Sequence, residues 1–242
     1  MSTLVKVARY HLVQPYQYLI VPWGILAFAF AVSLATIAMT PSGHAAALTL
    51  HGLSPVAKVR YTGSLSSFFI FFFVLGVQSI GRSLPFGLAL GVSRRSFYAG
   101  TALLAAVLAC ASGLVFAGLQ AIEVATDGWG TRMGFFRVPY LLAGPWYLTW
   151  LSSFVGLTLL YVYGMWFGIA YRRWGLLGTI AFIAAQVTAL LATGALVSVA
   201  HGWTGVGRFF THLTAAGLTG LLAVLAVALL AGGQATIRRA TV

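Results

Sequence analysis

Six long apolar runs constrain this sequence more than any other feature. Each contains about 20 residues or more, the length that an α-helix needs to cross the hydrocarbon of a bilayer. Only 7% of the residues are charged and 60% are hydrophobic, whereas about a quarter are charged in ordinary globular proteins. The pattern predicts an all-α integral membrane protein with six transmembrane helices. The predicted spans are residues 18–40, 63–82, 97–122, 146–170, 174–199 and 209–232.

The segment before the first span predicts a helix that lies on the membrane surface. In residues 1–16, apolar side chains fall on one helical face, Lys6 and Arg9 fall on the other, and Pro15 ends the helix. The first span is too long for the core of a signal peptide, so we expect it to be retained. Residues 1–242 are therefore treated as a single transmembrane domain.

The basic residues predict the orientation in the membrane. With six spans both termini share a side, and nine of the 14 Lys and Arg residues lie on that side. The nine are Lys6, Arg9, Arg82, Arg94, Arg95, Arg172, Arg173, Arg238 and Arg239. Because positive loops stay in the cytoplasm, we expect a multi-pass protein of the cell membrane with both termini and the 83–96 loop cytoplasmic. The net charge of +12 then reflects topology, and no nucleic-acid partner is expected.

The functional groups in the sequence argue against several chemistries. Both carboxylates, Glu123 and Asp127, lie in or at the edge of one outer loop, whereas ion-coupled carriers usually keep ionisable groups within their spans. His212, near the start of the sixth span, is the one candidate proton relay. Cys110 is the only cysteine, the zinc motif HExxH is absent, and no metal site is predicted.

Nucleotide chemistry is also unexpected in this chain. The phosphate-binding loop requires a lysine directly after a glycine, but Lys6 follows a valine and Lys58 follows an alanine. No serine or cysteine stands in a context that suggests an activated nucleophile. We therefore expect a protein that is not an enzyme, with no catalytic residues and no cofactor bound directly.

Polar and aromatic side chains in and between the spans offer further candidates. Gln78 in the second span and Gln186 in the fifth are each suited to a hydrogen bond across a helix interface or to lining a substrate path. The second span is rich in phenylalanine. The aromatic residues around the longest outer loop are Trp129, Phe135, Phe136, Tyr140 and Trp146. We expect them to form a belt at the membrane interface, and a cap over an exit path is the alternative.

The segment SLPFGLALGVSRRSFY at residues 83–98 separates the second and third spans. It is too short, too broken by glycine and too basic to cross a bilayer. Pro85 predicts the first turn of a helix, where its missing amide hydrogen costs no hydrogen bond. Phe86, Leu90 and Phe97 recur at roughly helical spacing, which predicts a short amphipathic helix on the membrane surface.

The second half of this segment predicts a turn into the next helix. Gly91 is placed to end the short helix in a left-handed conformation, and Ser93 is placed to cap the helix that follows. Arg94 and Arg95 then fall in the first turn, where the helix dipole disfavours cations by a few tenths to about 1 kcal/mol. Something outside the helix must favour them. The candidates are anionic lipid combined with a topology signal, or an acidic partner.

The arrangement resembles the membrane subunit of ABC-2-type ABC transporters, in particular the small bacterial six-span permeases linked to export of antimicrobial peptides and drugs. The resemblance covers the whole chain in architecture. Its most specific part is LALGVSRRSFYAG at residues 88–100, which looks like the family's G-x-S-R segment leading into the third span. In that family the loop is a coupling helix that docks on the ATPase. The resemblance implies these partner-binding residues: Phe86, Leu90, Gly91, Val92, Ser93, Arg94 and Arg95.

The resemblance also implies the partners and the energy source. A six-span half-transporter would pair with a second permease, identical or homologous, and with two separate ABC ATPase subunits that bind ATP and Mg²⁺. The polar-poor spans favour an amphipathic or hydrophobic substrate, such as a peptide, a drug or a lipid-like molecule. The alternatives are a non-transporting membrane scaffold or sensor subunit and a secondary carrier.

Overall fold

A computed structural model describes residues 16–39, 60–61, 65–138, 142 and 144–237. The predicted surface helix at residues 1–16 lies outside the described residues, apart from its last position. The helices are α1 Val21–Met39, α2 Ser66–Gly81, α3 Ser83–Ala89, α4 Arg94–Ala125, α5 Trp146–Val199, α6 Trp203–His212 and α7 Ala215–Ile237. A π-helical turn, Tyr16–Ile20, precedes α1, and a tight coil that contains left-handed residues, Gly128–Arg132, follows α4.

The helices confirm the predicted all-α class. Five helical segments are long and apolar enough to cross a membrane, which agrees with a membrane protein: α1, the continuous α2 and α3, α4, α5 and α7. A single short parallel pair lies among the described residues, in which β1 Arg60–Tyr61 pairs with β2 Met133–Gly134. This pair joins the chain after α1 to the loop after α4.

The long helix α5 reverses direction at Gly175. This glycine has φ +67° and ψ −159°, outside the helical region. The rings of Phe167 and Phe182 lie 5.2 Å apart, although 15 residues of straight helix would separate them by about 22 Å. The Tyr163 hydroxyl also donates to Gln186 Oε1. The first arm of α5, residues 146–174, and its second arm, residues 176–199, therefore lie antiparallel and side by side.

Phenylalanine side chains fill the centre of the bundle. Phe68 of α2 is fully buried, with its ring 4.9 Å from the ring of Phe116 of α4 and 5.2 Å from that of Phe72. The ring of Phe72 in turn lies 6.5 Å from that of Tyr161 on the first arm of α5. The phenylalanine-rich second span thus packs between α4 and α5, and its rings supply much of the core.

Close backbone contact between α2 and the first arm of α5 depends on glycine. A Cβ atom on Gly76 would overlap the carbonyl of Tyr161, and one on Gly164 would overlap the carbonyl of Phe73. A Cβ on Gly168 would lie 2.9 Å from the carbonyl oxygen of Val77. Small residues allow membrane helices to approach this closely. The closest contact lies here, whereas Gly118 of α4 faces open space.

Helix α7 is held to the bundle by two side chains that donate to its carbonyls. Tyr98 Oη donates to Leu230 O at 3.2 Å, and Trp166 Nε1 donates to Leu229 O at 2.9 Å. Helix α7 begins at Ala215, and the separate helix α6 ends shortly before it at His212. The chain from residue 209 to 212, placed by the sequence in the sixth span, belongs to α6.

Candidate coupling surface and a buried carboxylate

Helix α3 continues from α2 and exposes one apolar side. The Arg82 N–H donates to Gln78 O at 2.9 Å, which carries the helical path across the junction. Leu84 is buried within the bundle, while Phe86 is 55% exposed and Leu90 is 63% exposed. The short helix thus has apolar side chains on both its buried and its exposed side, and Ser83 is its one polar residue. The helix itself is confirmed, but the predicted amphipathic pattern is wrong.

The turn after α3 adopts the predicted conformation. Gly91 has φ +78°, and its N–H donates to Leu88 O at 2.9 Å. The Ser93 hydroxyl accepts from Ser96 N at 3.2 Å and caps α4. Both predictions are confirmed, because each depends on the chemistry of a few neighbouring residues.

Most of the predicted partner-binding residues lie exposed at this end of the bundle. We call the exposed residues the coupling surface: Phe86, Leu90, Gly91, Ser93 and Arg95. Val92 and Arg94 are half-buried beside them. Phe97 does not extend the apolar side that α3 exposes. It is 1% exposed, and its ring fills the space beside Gly87. That prediction is wrong because α4 begins at Arg94, which turns Phe97 inward beneath α3.

Arg172, near the reversal of α5, forms hydrogen bonds at the end of the bundle that carries the coupling surface. Its Nε and Nη2 atoms donate to Gly81 O at 2.9 and 2.5 Å. The helical donor to the Gly81 carbonyl would be the N–H of residue 85, but residue 85 is proline and has none, so the guanidinium of Arg172 supplies the donors. The sequence places Arg172 and Arg173 between the fourth and fifth predicted spans but contains no local signal for this partner. The contact joins the base of the coupling surface to α5.

The two glutamines occupy different settings. Gln186 Nε2 donates to Phe182 O at 3.3 Å, while its Oε1 atom accepts from Tyr163, so the side chain lies between the two arms of α5. Gln78 is half-buried in α2 near the coupling surface. A role for either residue in a substrate path stays a prediction.

A fully buried glutamate lies at the far end of α4. Glu123 has 0% exposure. Its Oε2 atom accepts from Trp129 Nε1 at 3.2 Å, from Phe135 N at 3.0 Å and from Phe136 N at 2.8 Å. Its Oε1 atom is buried and has no partner among the described residues. A buried carboxylate requires such donors, since burial of an unpaired charge is costly.

The loop at residues 126–138, here called the aromatic loop, folds back to supply these donors. Asp127 and Trp129 adopt positive φ angles of 49° and 62°, which are uncommon for residues with a Cβ. The glycines beside them, Gly128 and Gly130, also have positive φ. This tight coil returns the chain to Glu123 within a few residues.

The aromatic loop places two rings inside the bundle and not at its surface. Phe135 and Phe136 are 0% and 3% exposed, with ring centroids 5.2 and 6.2 Å from that of Phe30 on α1. The ring of Phe136 also lies 6.0 Å from that of Phe116. The predicted interfacial belt is therefore wrong for these two residues, although Trp146 is 64% exposed. Tyr140 lies outside the described residues.

The burial of Glu123 was not predicted, but the sequence does carry a signal for it. Phe116, Gln120 and Glu123 follow one another at spacings of four and three residues, which places them on one face of α4. All three are buried. Gln120 Nε2 donates to Leu142 O, so this face holds a second polar contact with the chain that leads into α5.

Among the residues that the structure describes, no group of three His, Cys, Asp or Glu side chains could hold a metal ion. In comparisons with protein-family models, curated proteins and solved structures, the chain has no match. Two features remain as the basis for a function. They are the coupling surface at one end of the bundle and the glutamate-bound aromatic loop at the other.

Proposed function

We propose that this chain is the membrane-spanning subunit of an ATP-driven ABC exporter of the ABC-2 type. The observation that carries the proposal is the coupling surface, where Phe86, Leu90 and Arg95 are exposed on a short helix and turn beside a bundle of apolar helices. Exposed aromatic and arginine side chains are typical of protein interfaces. They would give a soluble ATPase an apolar anchor and a cationic contact.

The proposal includes six spans, with the two arms of α5 as separate crossings. As one rod, 54 residues would extend about 81 Å, far beyond a hydrocarbon core of about 30 Å. The reversal at Gly175 and the contact of Phe167 with Phe182 support two crossings. Both termini and the coupling surface would then be cytoplasmic, in the cell membrane.

The proposed energy source is two copies of a separate ABC ATPase that bind ATP and Mg²⁺. A second permease, identical or homologous, would complete the transporter. Closure of the ATPases would displace the coupling surface. The contacts of Arg172 with Gly81 and of Gly164 with α2 support movement of α2 and the first arm of α5 as one body.

The proposed substrate is an amphipathic or hydrophobic molecule. The centre of the bundle is packed with phenylalanine, and Glu123 is the only buried acidic side chain among the described residues. Such an interior suits a peptide, drug or lipid-like molecule better than a sugar or an ion. The chain itself would perform no catalysis.

Copurification of partners from native membranes tests the proposal. We expect the tagged protein, extracted in mild detergent, to retain a stoichiometric ATPase that mass spectrometry identifies. Reversal of both arginines, Arg94→Glu with Arg95→Glu, should remove the ATPase without preventing membrane insertion, because the acidic side chains would repel an acidic groove. Arg173→Glu is the control, since this exposed arginine lies outside the coupling surface.

Two outcomes would contradict the proposal. An ATPase retained by the doubly reversed variant would place the contact elsewhere. A homo-oligomer free of any ATPase, under conditions that preserve other transporters, would favour a scaffold or sensor subunit.

A further inference from the structure

We propose that α6 lies in the membrane surface and binds the phosphate of an anionic lipid headgroup through Arg208 and His212. The inference depends on the chain being a membrane protein and is independent of the proposed export. Its basis is the position of α6, the separation of its two faces and an exposed pair of basic side chains one helical turn apart.

The position of α6 is fixed by the apolar helices on either side. Only residues 200–202 separate it from α5, and only residues 213–214 separate it from α7. Both neighbours are long and apolar enough to cross a membrane. A helix tethered so closely at both ends must lie at the level where the two membrane helices end, which is the boundary between hydrocarbon and headgroups.

Hydrogen bonds shape both corners. His201 adopts φ +51°, the Gly202 N–H donates to Val197 O at 2.8 Å, and Trp203 Nε1 donates to Ser198 Oγ at 2.8 Å, so the start of α6 is bonded to the end of α5. At the other corner, Thr214 Oγ1 accepts from Gly217 N at 3.1 Å and caps α7.

The two faces of α6 are clearly separated. Trp203, Val206 and Phe210 follow at spacings of three and four residues on one side. Thr204, Arg208 and Thr211 do the same on the opposite side. No residue of α6 is buried, and Trp203 and Phe210 are 56% and 58% exposed. An amphipathic helix of this kind places its apolar face about 5–10 Å into the headgroup boundary.

A basic patch lies exposed on this helix. Arg208 and His212 are both exposed and lie one helical turn apart, with Phe209 and Leu213 beside them on the same side. Nothing lies within 4 Å of where a Cβ of Gly205 would be, so the approach to this patch is unobstructed.

The basic patch lacks an anion from its own helix. The two acids of the chain, Glu123 and Asp127, lie at the end of α4 and in the aromatic loop, and Arg208 Nε makes a long bond of 3.4 Å to Thr204 O. Arginine suits a phosphate, because its planar group presents several N–H donors in a fixed fork. Phe209 and Leu213 supply apolar contacts that match the start of an acyl chain. The combined chemistry fits a lipid phosphate at the membrane surface.

The orientation of α6 is tested with spin labels on the full-length protein in lipid nanodiscs. In a Cys110→Ala background, Val206→Cys and Thr204→Cys each accept one nitroxide. We expect the label at residue 206 to be relaxed by oxygen, which concentrates in lipid, and the label at residue 204 by a water-soluble nickel reagent. A label at residue 206 shielded from both reagents would indicate a protein contact, such as a second copy, and would overturn the proposal.

The lipid phosphate is tested by native mass spectrometry of the protein with added phosphatidylglycerol. Arg208→Gln should weaken lipid binding about tenfold, the equivalent of one charge-assisted hydrogen bond. The double variant Arg208→Gln with His212→Gln should bind the lipid more weakly than Arg208→Gln alone. Arg173→Gln removes the same charge at another exposed site and should leave binding unchanged. Equal losses in the Arg208 and Arg173 variants, or no loss in either, would overturn the proposal.

Discussion

At the scale of single residues, Glu123 determines how the aromatic loop is held. One carboxylate oxygen accepts hydrogen bonds from an indole and from two backbone amides. These amides have no partner in a helix or a sheet, so the carboxylate replaces regular secondary structure for this part of the loop. The two buried rings that follow depend on the same contact.

Replacement of Glu123 should loosen the aromatic loop. Glu123→Ala removes the acceptor of two buried amides and one part-buried indole, and we expect a loss of about 2–5 kcal/mol in the free energy of unfolding. Glu123→Gln keeps one carbonyl oxygen and should lose less. Hydrogen exchange at the Phe135 and Phe136 amides measures the local effect, and thermal unfolding in detergent measures the global effect.

Asp127→Asn is the matched control for these variants. Asp127 is the only other acid in the chain, and it is an exposed residue of the same loop. We expect its replacement to leave the exchange of both amides unchanged. Equal protection of the Phe135 and Phe136 amides in Glu123→Ala and in the native protein would refute the role of the carboxylate.

The residue scale also shows where prediction from the sequence succeeds. Gly91 and Ser93 were predicted correctly because a left-handed turn and a helix cap depend on a few adjacent atoms. The burial of Phe135 and Phe136 was not predicted. It requires the aromatic loop to coil through four residues with positive φ and to bring both rings against Phe30 on α1. No local pattern encodes that contact.

At the scale of elements, the contact between α2 and the first arm of α5 is the tightest in the bundle. Gly76, Gly164 and Gly168 bring the two backbones together at a distance that admits no side chain. Gly164 and Gly168 form the G-x-x-x-G spacing that is typical of close contact between membrane helices, whereas Gly118 and Gly220, which face open space, have no glycine four residues away. Gly76 also has no such partner, so only the packed helices reveal that it is required.

Alanine substitution should separate the two kinds of glycine. Gly164→Ala places a methyl group against the Phe73 carbonyl, and we expect it to cost about 1–3 kcal/mol or to force the helices apart. Gly118→Ala should be neutral or stabilising by up to about 1 kcal/mol, because alanine favours helix and the site is open. Thermal unfolding in detergent compares them, and equal midpoints would contradict the packing described here.

At the scale of the whole molecule, hydropathy predicts an all-α membrane protein but does not predict how its helices pack against one another. The apolar runs correspond to α1, α2, α4, α5 and α7, because the length of a membrane helix is a local property. The predicted sixth span absorbs part of α6, since Phe209 and Phe210 are apolar residues on an exposed helix. The packing order of the helices and the partner of Arg172 depend on long-range contacts that hydropathy does not report.

Cysteine labelling tests whether the arms of α5 cross the membrane separately. In the Cys110→Ala background, Arg173→Cys lies at the reversal and His201→Cys lies just beyond the second arm, and both native residues are exposed. We expect a membrane-impermeant thiol reagent to reach residue 173 only from the cytoplasm and residue 201 only from outside. Labelling of both positions from one side would exclude six spans with this orientation.

Helix α4 joins the two ends of the molecule as one rod. It starts at the coupling surface and reaches Glu123 near its end, and its 32 residues extend about 48 Å. A tilt of about 5° at its start would carry the carboxylate about 4 Å sideways. The amides that it binds, at 2.8 and 3.0 Å, belong to residues whose rings pack against Phe30 on α1. The Phe136 ring also packs against Phe116 of α4 itself, so a tilt of α4 relative to α1 would act on the aromatic loop from both sides.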